Sequence, residues 1–102
     1  MASERAVGRL AQIPRGEGRA FRVGGHRIAV FHTRSGEVFA TQSECPHRNG
    51  PLADGLVDNT SVICPLHERA YDLRTGQELG AECRLRVFPV RTTDDGTILV
   101  AV

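Results

Sequence analysis

The segments "GRAFRV" and "HRIAVFHT" alternate apolar and polar positions on either side of Gly24-Gly25, a dipeptide suited to a tight hairpin. "EVFATQ" follows the turn signal Ser35-Gly36, so the three runs predict a meander. Further on, "SVIC" is a short β-branched run, and "AYDL" is closed by the turn "RTG". Near the end, "RLRVFPVRT" and "TILVAV" flank "DDG" and predict a second hairpin. No segment keeps apolar residues at i, i+3, i+4 and i+7 over three turns, so the pattern offers almost no support for helix. Short strands with a turn every ten or so residues predict an all-β antiparallel fold, a barrel or a sandwich of stacked sheets.

The chain has 102 residues, enough for one domain, read as 1–102, with 40% apolar residues and no disorder signature. A chain this short buries only about 65% of its unfolded surface, so a cross-linking metal centre would strengthen it. The formal charge of +1 gives no large field of one sign, which argues against nucleic acid or an anionic membrane as the main partner. "MASERAVGRL" has no apolar signal core, and no run approaches the roughly 20 apolar residues of a membrane span. Three cysteines make a poor disulfide framework. Together these features point to a reducing compartment, and the expected location is cytoplasmic.

The chemistry lies in "CPHRNGPLADGLVDNTSVICPLH". Cys45 and His47 stand at one end as C-x-H, and Cys64 and His67 at the other as C-x2-H, with sixteen residues between the pairs. Two thiolates and two imidazoles suit zinc or an iron–sulfur centre. Zinc fingers pair like ligands, cysteine with cysteine and histidine with histidine. Here each loop contributes one of each. A 2Fe–2S cluster with two cysteines on one iron and two histidines on the other explains that alternation, because each loop then reaches across both irons. Pro46 and Pro65 follow the two cysteines, stiffen the backbone and remove an N–H from each loop.

The motif formed by Cys45, His47, Cys64 and His67, with "PLADG" after the first loop and "YDLRTG" after the second, resembles the signature of Rieske iron–sulfur proteins. The resemblance implies stacked antiparallel sheets carrying a small cluster-binding subdomain, about residues 43–73. It implies one Rieske-type 2Fe–2S cluster, with Cys45 and Cys64 on the inner iron and His47 and His67 on the outer one. The function implied is one-electron transfer to redox protein partners. Neutral imidazole in place of thiolate reduces the negative charge of the centre, and such potentials span about −150 to +300 mV. Loss of the outer imidazole protons would make the potential fall as pH rises.

Departures from the family pattern refine this. High-potential members carry an extra cysteine in each loop; the matching positions are Gly50 and Leu66, so that disulfide is absent. The usual Gly-Ser after the last ligand is Glu68-Arg69, which removes a hydroxyl donor and adds a carboxylate. Both changes predict a potential near the low end of the range. Tyr71 stands where high-potential members place a tyrosine that donates to a ligand cysteine; packing beneath the loop is the alternative role. The stretch that covers the cluster in relatives corresponds to "LGAECRLRV", with no proline. It contains Cys83, read as a small packed or semi-exposed thiol and not as a ligand. His26 and His32 are expected as half-exposed strand residues, and the arginines of the last hairpin as solvated. Asn59-Thr60-Ser61 matches a glycosylation sequon that a cytoplasmic protein would not use. Arg48, beside a ligand, would lie at the tip, where a cation could steer an acidic partner.

No nucleophile–base pair, carboxylate pair or nucleotide loop can be read from the chain, so any catalysis would belong to a larger complex. Two systems match the resemblance: the small subunit of a cytoplasmic NAD(P)H-dependent nitrite reductase, similar in size and in "CPHRNGPLADG" and favoured by "GRAFRVGGHRIAVFHTRSGEVFA" and the short covering stretch, and the ferredoxin of an aromatic-ring-hydroxylating dioxygenase. A zinc-bound or cluster-free docking module is the alternative of another class.

Overall fold

The computed structural model describes residues 3–46, 50–65 and 69–102. The meander forms as expected. β2 (Glu17–Val23), β3 (His26–His32) and β4 (Val38–Gln42) pair antiparallel in sequence order. Val23 pairs directly with His26, leaving a two-residue turn in which Gly24 and Gly25 take φ of 54° and 85°. Both central positions of such a turn need the left-handed region, which is why two glycines stand there.

The second hairpin also forms, but "RLRVFPVRT" is not one strand. Pro89 cannot donate to a ladder, and the run divides around it. β8 (Val87–Phe88) pairs with β4 and gives a four-stranded sheet of order β2-β3-β4-β8. β9 (Val90–Thr92) pairs with β10 (Thr97–Ala101) in a second sheet. That sheet gains a strand the hydropathy pattern did not announce, β1 (Glu4–Arg9), in the order β1-β10-β9. Its sequence, "ERAVGR", has too few apolar residues to show alternation; pairing with β10 holds it. Glu4 and Arg91 meet across β10 in a two-point ion pair, 2.7 and 2.9 Å, so this hairpin arginine is exposed but partnered. A third sheet, β5-β6-β7, consists of β5 (Leu56–Val57), β6 (Ser61–Ile63) and β7 (Ala70–Asp72). Single 3₁₀ turns at Leu10–Gln12 and Leu52–Asp54 are the helical elements among the described residues.

The four-stranded sheet is covered on both faces. Ile28 and Val30 of β3 turn toward Ile98 and Val100 of the terminal sheet in one core. Ala29 and Phe31 turn the other way, into a core with Val57 and Val62 of the small sheet, Tyr71 and both Cys45 and Cys64. All four β3 side chains are fully buried, which accounts for the unbroken run "IAVF". His32 differs from expectation for the same reason. It is buried rather than half-exposed, and its Nδ1–H donates to the carbonyl of Ile13 at 2.8 Å, satisfying a polar ring inside the fold. His26 is exposed, edge-on to the Phe88 ring at 6.5 Å. No helix among the described residues is long and apolar enough to cross a membrane.

Candidate metal centre

Both candidate cysteines sit where a strand ends and a closed loop begins. The Cys45 amide donates to the carbonyl of Gly50, and the Cys64 amide to that of Arg69, each at 2.8 Å. Each bond spans five residues, so the two loops are matched in size. The first is anchored at its base by Leu52, whose amide donates to Ser43, and by the bridge between Glu44 and Pro51. The second continues the ladder in which Ile63 pairs with Leu56 on one side and Ala70 on the other.

The thiols are 0% and 1% exposed and belong to one apolar core. Cys45, Cys64 and Cys83 form no disulfide. Tyr71, fully buried between β6 and the following segment, places its hydroxyl 3.3 Å from Cys45 Sγ. Burial first, and then the contact with Cys45, pushes the Tyr71 phenol well above its usual pKa. It therefore keeps its proton at neutral pH and can donate to a Cys45 thiolate. Both roles open to this tyrosine are compatible with its placement: it packs in the core with Cys45 and Cys64, and its hydroxyl contacts the Cys45 sulfur.

Two buried, unbridged thiols in one core, with a hydroxyl donor on one sulfur, fit thiolate ligation of an iron pair. His47 and His67, with Arg48 and Glu68, lie outside the described residues. No group of three metal-binding side chains occurs among the described residues. Arg69, which follows the second loop, turns away from a role as a hydroxyl substitute. Its guanidinium donates to Glu78 Oε2 at 2.7 Å, and the bond holds the arginine firmly in its charged form. Glu78 is nearly fully buried, a position no sequence signal marked, since an acidic residue after "RTGQ" reads as solvated.

The motif "YDLRTG" has its own local logic. Asp72 accepts from the Arg74 amide at 2.8 Å and pairs with the Arg74 guanidinium at 2.9 Å, and this side-chain bond holds its carboxyl below the usual range. The turn it caps returns the chain so that Glu78 bridges Tyr71. Cys83 is partly buried against the core of the other two cysteines, as expected. Gln77 braces its segment by donating to the carbonyls of Ala81 and Cys83, at 3.0 and 3.2 Å.

Known proteins share this architecture. The 3-phenylpropionate/cinnamic acid dioxygenase ferredoxin subunit of Photorhabdus laumondii is 42% identical over 78 residues, covering 74% of this chain and 72% of that protein. The ferredoxin of carbazole 1,9a-dioxygenase from Nocardioides aromaticivorans superposes with a TM-score of 0.85 at 29% identity, covering 97% of each chain. A structure described as the small subunit of an NADH-dependent nitrite reductase from Mycobacterium tuberculosis gives a TM-score of 0.92 at 23% identity, covering 100% of this chain and 96% of that one. The family model for the Rieske [2Fe-2S] domain matches residues 3–91. That match sets the zinc reading aside: the chain belongs to the Rieske family and is an electron-transfer protein with a Rieske-type 2Fe–2S cluster.

Proposed function

We propose that this protein is the ferredoxin component of a ring-hydroxylating dioxygenase system, passing single electrons from a reductase to the oxygenase in the cytoplasm. The observation that carries this reading is the 42% sequence identity to a dioxygenase ferredoxin. Likeness to the nitrite reductase small subunit is strong in fold, but the 23% identity carries no argument beyond fold. The stretch "GRAFRVGGHRIAVFHTRSGEVFA" and the short covering segment, which lean toward nitrite reductase in the sequence alone, are therefore outweighed.

In this reading the chain is one domain, with residues 43–73 as the cluster-binding subdomain. Cys45 and Cys64 hold the inner iron, and His47 and His67 the outer one. When bound, the cluster supplies a one-electron couple. The residues of the chain do the rest. The two matched loops fix the thiolates from inside the core, while Tyr71 stabilises negative charge on the Cys45 sulfur. With no second cysteine pair, and with Arg69 engaged by Glu78 where relatives have a serine, the midpoint potential should fall at about −150 mV. A spectroelectrochemical titration of the purified protein checks this, and a strongly positive midpoint would contradict it. Tyr71→Phe should keep the cluster but lower the midpoint by on the order of 40 mV, as expected for about 1 kcal/mol of hydrogen bonding that favours the reduced form.

The partner is tested by affinity capture on the iron-loaded protein from native extract, followed by reconstitution. Recovery of a flavin reductase and a ring oxygenase, with electron flow through the added protein, is the expected result. Recovery of a sirohaem reductase that depends on this chain would replace the reading with the nitrite reductase one.

A further inference from the structure

Glu78 is the one buried carboxylate among the described residues, and it lies against the strand that follows the second candidate loop. It forms a bridge with Tyr71, whose hydroxyl touches Cys45. Flanking backbone bonds hold it there: its amide donates to Cys83 and that of Leu79 to Ala70, each at 2.8 Å. Arg69 approaches from the other side. Its carbonyl closes the Cys64 loop and its guanidinium lies 2.7 Å from the Glu78 carboxylate.

The two charges are not equivalent. The Glu78 side chain is 4% exposed and that of Arg69 is 42% exposed. Water screens the arginine far more than the glutamate, so within this pair the carboxylate acts more strongly on the core. Stability is a poor reason for the pair, because burying an ion pair in place of apolar groups gains little and often costs.

We propose that Glu78 and Arg69 are opposed positioning residues that set the reduction potential, the buried carboxylate disfavouring the added electron and the guanidinium offsetting part of that effect. The proposal rests on the assignment of Cys45, His47, Cys64 and His67 as ligands. Reduction adds one negative charge to the centre, so the sign of each effect follows from Coulomb's law.

The test compares iron-loaded wild type, E78Q, E78D, R69Q and E78Q/R69Q in dithionite titrations followed by absorbance and electron paramagnetic resonance. E78Q should shift the reduced-to-oxidised ratio about tenfold toward reduction, about 59 mV upward. R69Q should shift it about threefold the other way, about 28 mV downward. E78D keeps the charge and should titrate like wild type, and the double variant should fall between the two singles. An unmoved or lowered E78Q midpoint, or shifts of the same sign in both single variants, would overturn the proposal. If E78Q does not fold, R69Q decides alone, and an unchanged or raised midpoint there rejects it. An intact Rieske spectrum with unmoved potentials defeats the tuning role alone. Wild-type protein without iron and sulfide defeats the ligand assignment instead.

Discussion

Cys45→Ser is expected to yield a colourless protein from which iron and acid-labile sulfide are lost completely. A thiolate is a soft, readily ionised ligand, whereas a serine hydroxyl holds its proton at neutral pH and binds such iron poorly. Cys45 is fully buried, so no solvent or neighbouring loop can stand in for the missing sulfur. The fold should survive, because serine fits the same volume and the core around Ile28, Val30, Ile98 and Val100 does not include the site. Iron and sulfide analysis beside a circular dichroism spectrum separates loss of the centre from loss of the fold. Cys83→Ser is the control: its thiol lies at the margin of the core, and colour should be retained. Full colour in Cys45→Ser would overturn the ligand assignment.

The second large effect is mechanical. Gly76→Ala should destabilise the protein by about 4 kcal/mol and lower its melting temperature by roughly 20 °C. Gly76 sits at φ 84°, where a side chain is already strained, and its added Cβ would lie 2.2 Å from the carbonyl oxygen of Leu85. Relief is costly, because the Gly76 amide is bonded to Asp72 and its carbonyl to the Leu85 amide, both at 2.7 Å. Gly80 has a similar φ of 79° but open space around it. Gly80→Ala should therefore show the conformational strain alone, about 1 kcal/mol and roughly 5 °C. Differential scanning calorimetry checks both, and equal losses in the two variants would show that the Leu85 contact is not the cause.

The pairing of Gly24-Gly25 with flanking β runs, and of "DDG" with its neighbours, could be read directly, because turn chemistry is local. β1 could not: six residues with three exposed polar or charged side chains become a strand only when β10 offers an edge. The split at Pro89 was present in the residue itself, but the sheet that each half joins is decided by long-range packing. The same distinction runs through the site. Cys45 and Cys64 stand out as candidates in the sequence because ligand chemistry demands particular residue types at particular spacings, and the fold brings both into one core. Glu78 could not, since its burial comes from the turn at Asp72–Gly76 bringing it back against Tyr71. The burial of His32 is hidden for a related reason, as nothing in "VFHT" reveals that the carbonyl of Ile13 awaits the ring.

β3 is a party wall. With Ile28 and Val30 on one side and Ala29 and Phe31 on the other, neither compartment can open without exposing a flank of the same strand. The half that holds Cys45 and Cys64 and the terminal sheet are thus bound into one melting unit, and a ligand that tightens one compartment should also slow deuterium uptake at amides in the other.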